Sequence, residues 1–189
     1  MMPLESRTLA FAILATGLSI AEPASARDYV QAPGSTLTFA SHYQGEVFSG
    51  HFSRFSTRLS FDPARLEDAR LDVLIPLASA STANADRDET LQGPDFFDSA
   101  AFPQARFSAS KFRHLQGNDY AADGTLSLRG ASKPVTLTFT WSPDAHPVLN
   151  GKASVQRLDF GIGGDDWADL EIIPNAVAIR TKVMLQPAK

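Results

Sequence analysis

Four histidines and many serines are the residues of this chain that most often carry metal or nucleophilic chemistry. The histidines, His42, His51, His114 and His146, form no close pair at the spacing of a zinc site. No serine lies in the Gly-x-Ser-x-Gly sequence of a nucleophile elbow. No pair of carboxylates can be assigned to a common pocket. The sequence therefore supports neither a metal centre nor a catalytic residue, and we expect a protein that is not an enzyme.

A glycine-rich stretch, Gly161-Ile162-Gly163-Gly164, has the composition of a phosphate-binding loop. No Lys-Ser or Lys-Thr pair follows it, and the next residues, Asp165 and Asp166, would repel phosphate. We interpret the stretch as a flexible connection into the last strand.

Asn84, Arg87 and Asp88 form a polar cluster near the middle of the chain. They could belong to a binding site or hold a short helix in place. The second interpretation needs no chemistry, since Arg87 paired with a carboxylate would hold a short helix in its orientation. Phe96-Phe97 would then be the packing side of that segment.

The overall composition excludes several classes of partner. The net charge is −4 at pH 7, whereas nucleic-acid binding needs a basic face. The absence of cysteine excludes disulfides, thiolate metal sites and cysteine nucleophiles. The chain is instead rich in phenylalanine, with 13 residues, which favours a large apolar core or an apolar binding cavity.

The N-terminal residues 1–26 have the pattern of a signal peptide. Arg7 precedes an apolar stretch, and Ala24-Ser25-Ala26 places small residues before Arg27. The stretch is shorter than the roughly 20 residues that a membrane-spanning helix needs. We therefore expect cleavage before Arg27, export to the periplasm or beyond, no stable membrane insertion, and one folded domain over residues 27–189.

Most of the remaining chain alternates apolar and polar residues with the period of a strand. The clearest example is Leu71, Val73, Ile75 and Leu77, which share one face. Eight strands are predicted, over residues 37–43, 47–61, 70–77, 105–115, 118–128, 135–141, 148–160 and 176–185. The apolar positions of the second strand change parity between Phe52 and Phe55, which requires a bulge or bend.

One short helix, from about Ala83 to Leu91, is predicted between the third and fourth strands. Ser81 or Thr82 can cap its start, and Gly93-Pro94 ends it. Because most connections are short, neighbouring strands should be antiparallel. The chain is therefore all-β, as an up-and-down barrel or a sandwich, and an eight-stranded barrel can be filled by side chains or hold one ligand.

Several phrases, taken in order, resemble the YceI-like family of periplasmic polyisoprenoid-binding proteins. They are Ser35 to Phe39, Gly50 to Phe55, Leu59 to Pro63, Ser81 to Asn84, Asp95 to Asp98, Phe102 to Phe107, Gly124 to Gly130, Lys133 to Val135, and Arg157 to Gly163 with Trp167. The resemblance covers essentially the whole of residues 27–189.

The resemblance implies an eight-stranded antiparallel, lipocalin-like barrel closed near one end by the short helix. It implies an apolar lumen that takes a polyisoprenoid or isoprenoid quinone, and no further cofactor is expected. It also implies that the protein can form a homodimer. At the position of Tyr43, family members often carry histidine or glutamine, so this sequence departs from the family pattern there. The residues expected to face the ligand are Phe39, Tyr43, Phe52, Phe61, Val73, Phe107, Leu126, Phe139 and Trp167.

Three functions remain open at this point. The first is sequestering or carrying an isoprenoid lipid. The second is an enzyme that acts on such a lipid, which would need a buried polar constellation in the lumen. The third is a stress-response interaction protein with a structural lipid. In addition, alternation alone does not separate a ligand cavity from an ordinary core, because the same side chains could simply pack together.

Overall fold

The computed structural model describes residues 27–189, and the predicted signal peptide over residues 1–26 lies outside the described residues. The strands are β1 Arg27–Gln31, β2 Thr36–Tyr43, β3 Glu46–Phe52, β4 Ser56–Phe61, β5 Arg70–Pro76, β6 Ala80–Ser81, β7 Gln104–Gln116, β8 Asp119–Leu128, β9 Ala131–Ser142, β10 Val148–Gln156 and β11 Ala176–Pro187. The α-helix, α1, is Ala85–Gln92, and 3-10 turns cover Leu66–Asp68, Leu77–Ser79, Arg157–Phe160 and Asp165–Trp167.

The strands form a closed antiparallel barrel. Around the ring the order is β1, β4, β5, β7, β8, β9, β10 and β11, and β11 pairs back onto β1. This closure confirms the eight-stranded barrel and rules out the sandwich. No helix in the described part of the chain is long and apolar enough to cross a membrane.

Along the chain, the first three strands that cross the barrel are each split in two. The pairs are β1 with β2, β3 with β4, and β5 with β6. The N-terminal half of β11 pairs with β2, and its C-terminal end pairs with β1. β3 and β4 are separated by a bend at residues 53–55, and β5 continues into β6 after a 3-10 turn. The bend confirms the parity change between Phe52 and Phe55. It lets the phenyl rings of both residues face the barrel interior.

The structure differs from the sequence prediction at several places, of which three bear on the barrel and its α1 end. β1 was not predicted, because Tyr29-Val30 is too short an apolar run to show alternation. β10 ends at Gln156, since Arg157 turns its side chain into the barrel instead of continuing the strand. Helix α1 is capped by Asn84, whose side chain accepts the Arg87 N–H, rather than by Ser81 or Thr82.

One end of the barrel is filled by an aromatic cluster. Phe61, on β4, is 1% exposed and stands at its centre. Its ring centroid lies 5.0 Å from that of Trp141 and 5.2 Å from that of Tyr120, both edge to face. The full cluster is Tyr29, Phe61, Phe112, Tyr120, Phe139 and Trp141. Because the rings pack on one another, this end of the lumen is closed.

The opposite end, called here the α1 end, is covered by the helix and the loop after it. Leu91 of α1 points inward, and the Gln92 side chain donates to the Leu77 carbonyl. Arg87 lies over the Phe48 ring, 5.0 Å from its centroid. The barrel therefore has a packed aromatic end and a lidded α1 end, with the remaining interior between them.

We expect Phe61→Ala to lower the free energy of unfolding by about 3–5 kcal/mol, since it leaves a cavity among rigid rings. Urea unfolding followed by circular dichroism measures the change. Val47→Ala is a suitable control, because Val47 is 72% exposed and its truncation should be nearly neutral. Equal effects of the two substitutions would contradict the role of the cluster.

Candidate functional site

The main cavity occupies the interior between the aromatic cluster and α1. Strands β2 to β5 and β7 to β11 contribute to its wall, and nearly all of the wall atoms are apolar. On β10 alone the wall runs from Leu149 to Val155, about 20 Å at about 3.3 Å per residue. The volume is only ≈ 190 Å³, so the space is long and narrow. Such a shape suits a linear apolar chain.

Five of the predicted ligand-facing residues line this cavity. They are Phe39 on β2, Phe52 on β3, Val73 on β5, Phe107 on β7 and Leu126 on β8. Their strands alternate cleanly, so every second side chain faces the interior.

The other four predicted residues lie away from the cavity. Phe61 and Phe139 belong to the aromatic cluster, where neighbouring rings leave no free space beside them. Tyr43 ends β2 at the hairpin with β3 and is 40% exposed. Trp167 packs edge to face on Phe96 with a centroid distance of 5.4 Å, so it anchors a loop rather than lining the lumen.

Several wall residues were missed by the sequence prediction. Phe48 and Phe55 face the cavity next to the β3–β4 bend, and Phe96 and Phe97 close it from the loop after α1. Their signal in the sequence was weak, because a bend and a loop have no regular period. The parity change marked Phe55, and Phe96-Phe97 were expected to pack beside the short helix, but neither signal assigned these residues to a ligand cavity.

Two glycines determine where cavity phenylalanines lie. Gly50 pairs with Phe39 across β2 and β3, and a Cβ at Gly50 would overlap the Phe39 ring. Gly124 pairs with Ala109 on β7, and a Cβ there would lie 2.6 Å from the Cζ of Phe107, two residues away on that strand. Both rings therefore lie flat against the barrel wall, which leaves the centre of the lumen open.

Polar side chains are rare in the cavity wall. They are Ser41, Thr57, Arg157 and Thr181, and the Thr181 hydroxyl donates to the Thr36 carbonyl. The wall contains no carboxylate and no histidine. No group of metal-ligating side chains occurs in the described part of the chain, where all four histidines are exposed. Arg157 is therefore the one ionisable side chain in the described cavity wall.

Arg157 is a buried cation held by backbone carbonyls. It is 3% exposed, and burial lowers the pKa of its guanidinium. Its donors reach Pro174, Ile162, Gly163, Trp167 and Ile173, at 2.8–3.2 Å for the bonds other than that to Gly163. All five N–H groups are thus used, and residues 162–174 are fastened over the α1 end. The glycine-rich stretch is part of this fastened loop.

Helix α1 is attached to the barrel through Asp88. Its carboxylate accepts the Thr82 N–H and hydroxyl, each at 2.6 Å, and the Ser81 hydroxyl at 2.9 Å. Burial acts to raise the pKa of Asp88. The hydrogen bonds from Thr82 and Ser81, with the nearby charge of Arg87, outweigh burial and hold the pKa below its ordinary value. The polar cluster is therefore structural, and Arg87 bonds Thr82 rather than a carboxylate.

The family model of the YceI-like domain matches residues 29–185, which is nearly the whole described barrel. The chain belongs to the YceI-like family. Among curated relatives, a UPF0312 protein of Shewanella denitrificans is 32% identical over 144 residues, covering 74% of this chain and 72% of the relative. A UPF0312 protein of Pseudomonas savastanoi is 29% identical over 169 residues, covering 84% and 88%.

Solved structures show the same YceI-like barrel. BcnA of Burkholderia cenocepacia superposes with a TM-score of 0.76 at 27% identity, covering 79% of this chain and 95% of BcnA. A domain of Saccharophagus degradans described as polyisoprenoid-binding superposes with a TM-score of 0.66 at 16% identity, covering 87% and 99%. The second match supports the fold alone.

We expect Arg157→Lys to lower the free energy of unfolding by about 3 kcal/mol. Lysine offers three donors from one point and leaves several buried carbonyls of the loop unpaired. Thermal or urea unfolding measures the loss. Arg106→Lys is the matched control, since Arg106 is 60% exposed and pairs with Asp72 on the surface. A loss of stability no larger than that of the control would show that the loop does not depend on the five N–H donors of the planar Arg157 guanidinium.

We expect Asp88→Asn to lower the free energy of unfolding by about 1–3 kcal/mol at neutral pH. Because the pKa of Asp88 is lowered on folding, this contribution is present above its ordinary value of 3.8 and disappears as pH falls through the lowered value. Unfolding of both proteins between pH 7 and the acid limit should show converging curves. Glu89→Gln, at an exposed neighbour, should show no such convergence.

Proposed function

We propose that this protein is an exported, non-catalytic carrier that holds a long isoprenoid chain in its barrel. The observation that carries the proposal is the long, narrow, apolar cavity between the aromatic cluster and α1. Burying each CH₂ group of a ligand contributes about 0.8 kcal/mol before the costs of association. Several isoprene units would therefore give substantial affinity without any polar contact.

The shape of the cavity favours a chain over a compact molecule. The wall is built from flexible aliphatic side chains and flat phenylalanine rings, and the aromatic cluster limits how deep a ligand can reach. A branched, flexible isoprenoid fits such a tunnel segment by segment. The family resemblance to periplasmic polyisoprenoid-binding proteins supports the same ligand class, with isoprenoid quinones included, and the same compartment.

The two other functions have weaker support. An enzyme acting on the lipid would need a nucleophile with a base, or an acid and a base, within reach of the chain. The cavity wall offers hydroxyls and one arginine with no proton acceptor beside them. An interaction protein with a structural lipid gains no support from the apolar lumen, because its partner would bind the outer surface of the barrel. The homodimer stays a prediction from the resemblance.

The direct test is native mass spectrometry of the protein purified from the exported fraction of its own host. We expect one lipid per chain, which organic extraction and mass analysis should identify as an isoprenoid. If the protein carries no lipid and takes up no isoprenoid quinone on titration, the carrier function is wrong and the cavity is an imperfectly packed core.

A matched pair of substitutions tests the cavity itself. Ala153, on β10, faces the cavity, whereas Ala178, on β11, is exposed on the outer face of the barrel. We expect Ala153→Phe to fill the lumen and lower isoprenoid binding at least tenfold, and Ala178→Phe to leave binding unchanged. Equal binding by the two variants would place the ligand outside the barrel. A thermal melt of each variant checks that it is folded.

A further inference from the structure

Two hydroxyls in the cavity wall have no hydrogen-bond partner. Ser41 is 6% exposed and Thr57 is 2% exposed, and neither side-chain oxygen is bonded to any described group. An unpaired buried hydroxyl costs about 1–3 kcal/mol, so proteins rarely keep one without a partner. In a cavity that binds a ligand, that partner can be a polar atom of the ligand.

Thr57 has a potential partner within the protein. Val30 pairs with Arg58 across β1 and β4, so Gln31 and Thr57 lie side by side at the next position. The Gln31 Oε1 atom is also buried and unpaired. Neighbouring residues on one face of an antiparallel pair have Cβ atoms about 5 Å apart, so the Thr57 hydroxyl can reach the Gln31 Oε1 atom through a side-chain rotation.

Ser41 has no such neighbour. Across the sheet it pairs with Phe48 on β3, and on its other side it lies next to Val177 on β11, because Ala40 pairs with Ala178. Arg157 faces the same end of the cavity, but all its donors are occupied by backbone carbonyls. Ser41 is thus the hydroxyl of the described wall that has no hydrogen-bonding side chain opposite it on either neighbouring strand, and a ligand that reaches it can supply the missing partner.

The charge around the α1 end selects among polar head groups. The loop over this end carries four exposed carboxylates between residues 165 and 171, and no basic residue in that segment. The loop lies beside the β2–β3 hairpin that carries Ser41, since the Gln44 N–H donates to the Ile172 carbonyl at 2.9 Å. Two cations lie at the same end, but Arg87 bonds Thr82, and Arg129 donates to the carbonyls of Gly161 and Pro94. The four loop carboxylates therefore disfavour a phosphate or diphosphate, whereas a neutral oxygen is tolerated.

From these observations we propose that the isoprenoid carries a neutral oxygen head group, a hydroxyl or a carbonyl, which hydrogen-bonds to Ser41 inside the α1 end. This inference rests on the proposed carrier function and adds the chemistry and position of the head. The hydrocarbon tail then extends toward the aromatic cluster.

The test compares three probes with one chain: geranylgeraniol, its hydrocarbon counterpart, and geranylgeranyl monophosphate. Delipidated protein is titrated with each at low ionic strength. We expect the alcohol to bind more tightly than both other probes. Ser41→Ala should lower the preference for the alcohol over the hydrocarbon about five- to tenfold, the equivalent of one hydrogen bond. Ser49→Ala is the matched control, since Ser49 is exposed on the outer face of β3.

Charge is tested separately by changing the loop carboxylates to amides, as Asp165→Asn, Asp166→Asn, Asp169→Asn and Glu171→Gln together. We expect affinity for the monophosphate to rise severalfold, and affinity for the alcohol to change little. The rise should shrink as salt is added, because exposed charges are screened.

The outcomes separate this inference from the carrier function. If the wild-type protein binds none of the three probes, the carrier function fails. If it binds all three equally, or if Ser41→Ala does not change the alcohol preference, only the head-group inference fails. A preference that is lost in Thr57→Val instead would move the head to the middle of the barrel and overturn the assignment to Ser41.

Discussion

The pairing of β11 with β1 is the interaction on which the rest of the structure depends. It runs from Tyr29 opposite Pro187 to Gln31 opposite Leu185, and it turns an open sheet into a ring. A closed ring has no free edge, and its inward side chains share one confined space. What that space becomes, core or cavity, is then decided by the size of the side chains at each depth.

Side-chain size differs sharply between the two ends. Around Phe61, rings from five strands meet and leave no gap. Toward α1 the wall is mainly leucine, valine and isoleucine, and glycines let the Phe39 and Phe107 rings lie against it. Interiors normally pack as densely as organic crystals. The narrow open space is therefore a property of this particular sequence and not an automatic result of the fold.

This difference also explains what the sequence could predict. Period-two alternation identified eight strands and the bend after Phe52, and turn residues located α1 within two residues. Alternation could not separate Phe61 from Phe107, because both face inward on regular strands. Their roles depend on which residues meet them across the barrel, and pairing register is not visible in one sequence. Closure by β1 was missed for a similar reason, since a short strand with polar ends has little periodicity.

Polar groups are rare in this interior, and Arg157 is the one whose role is clearest. Arg157 is an ion without a carboxylate partner within the described residues, and the partial charges of five carbonyls take the place of one. Backbone carbonyls, rather than a carboxylate, surround the Arg157 guanidinium. These carbonyls converge on it only when residues 162–174 are folded as observed. The loop and the charge therefore depend on each other.

The positions of the two tryptophans give the protein two independent optical reporters. Trp141 is 3% exposed within the aromatic cluster, and Trp167 lies at the α1 end against Phe96, which lines the cavity. The chain has no other tryptophan. Emission from Trp141 follows formation of the barrel, whereas emission from Trp167 follows events at the lid. Folding and ligand entry can thus be timed separately in one unlabelled molecule, by replacing either indole with phenylalanine.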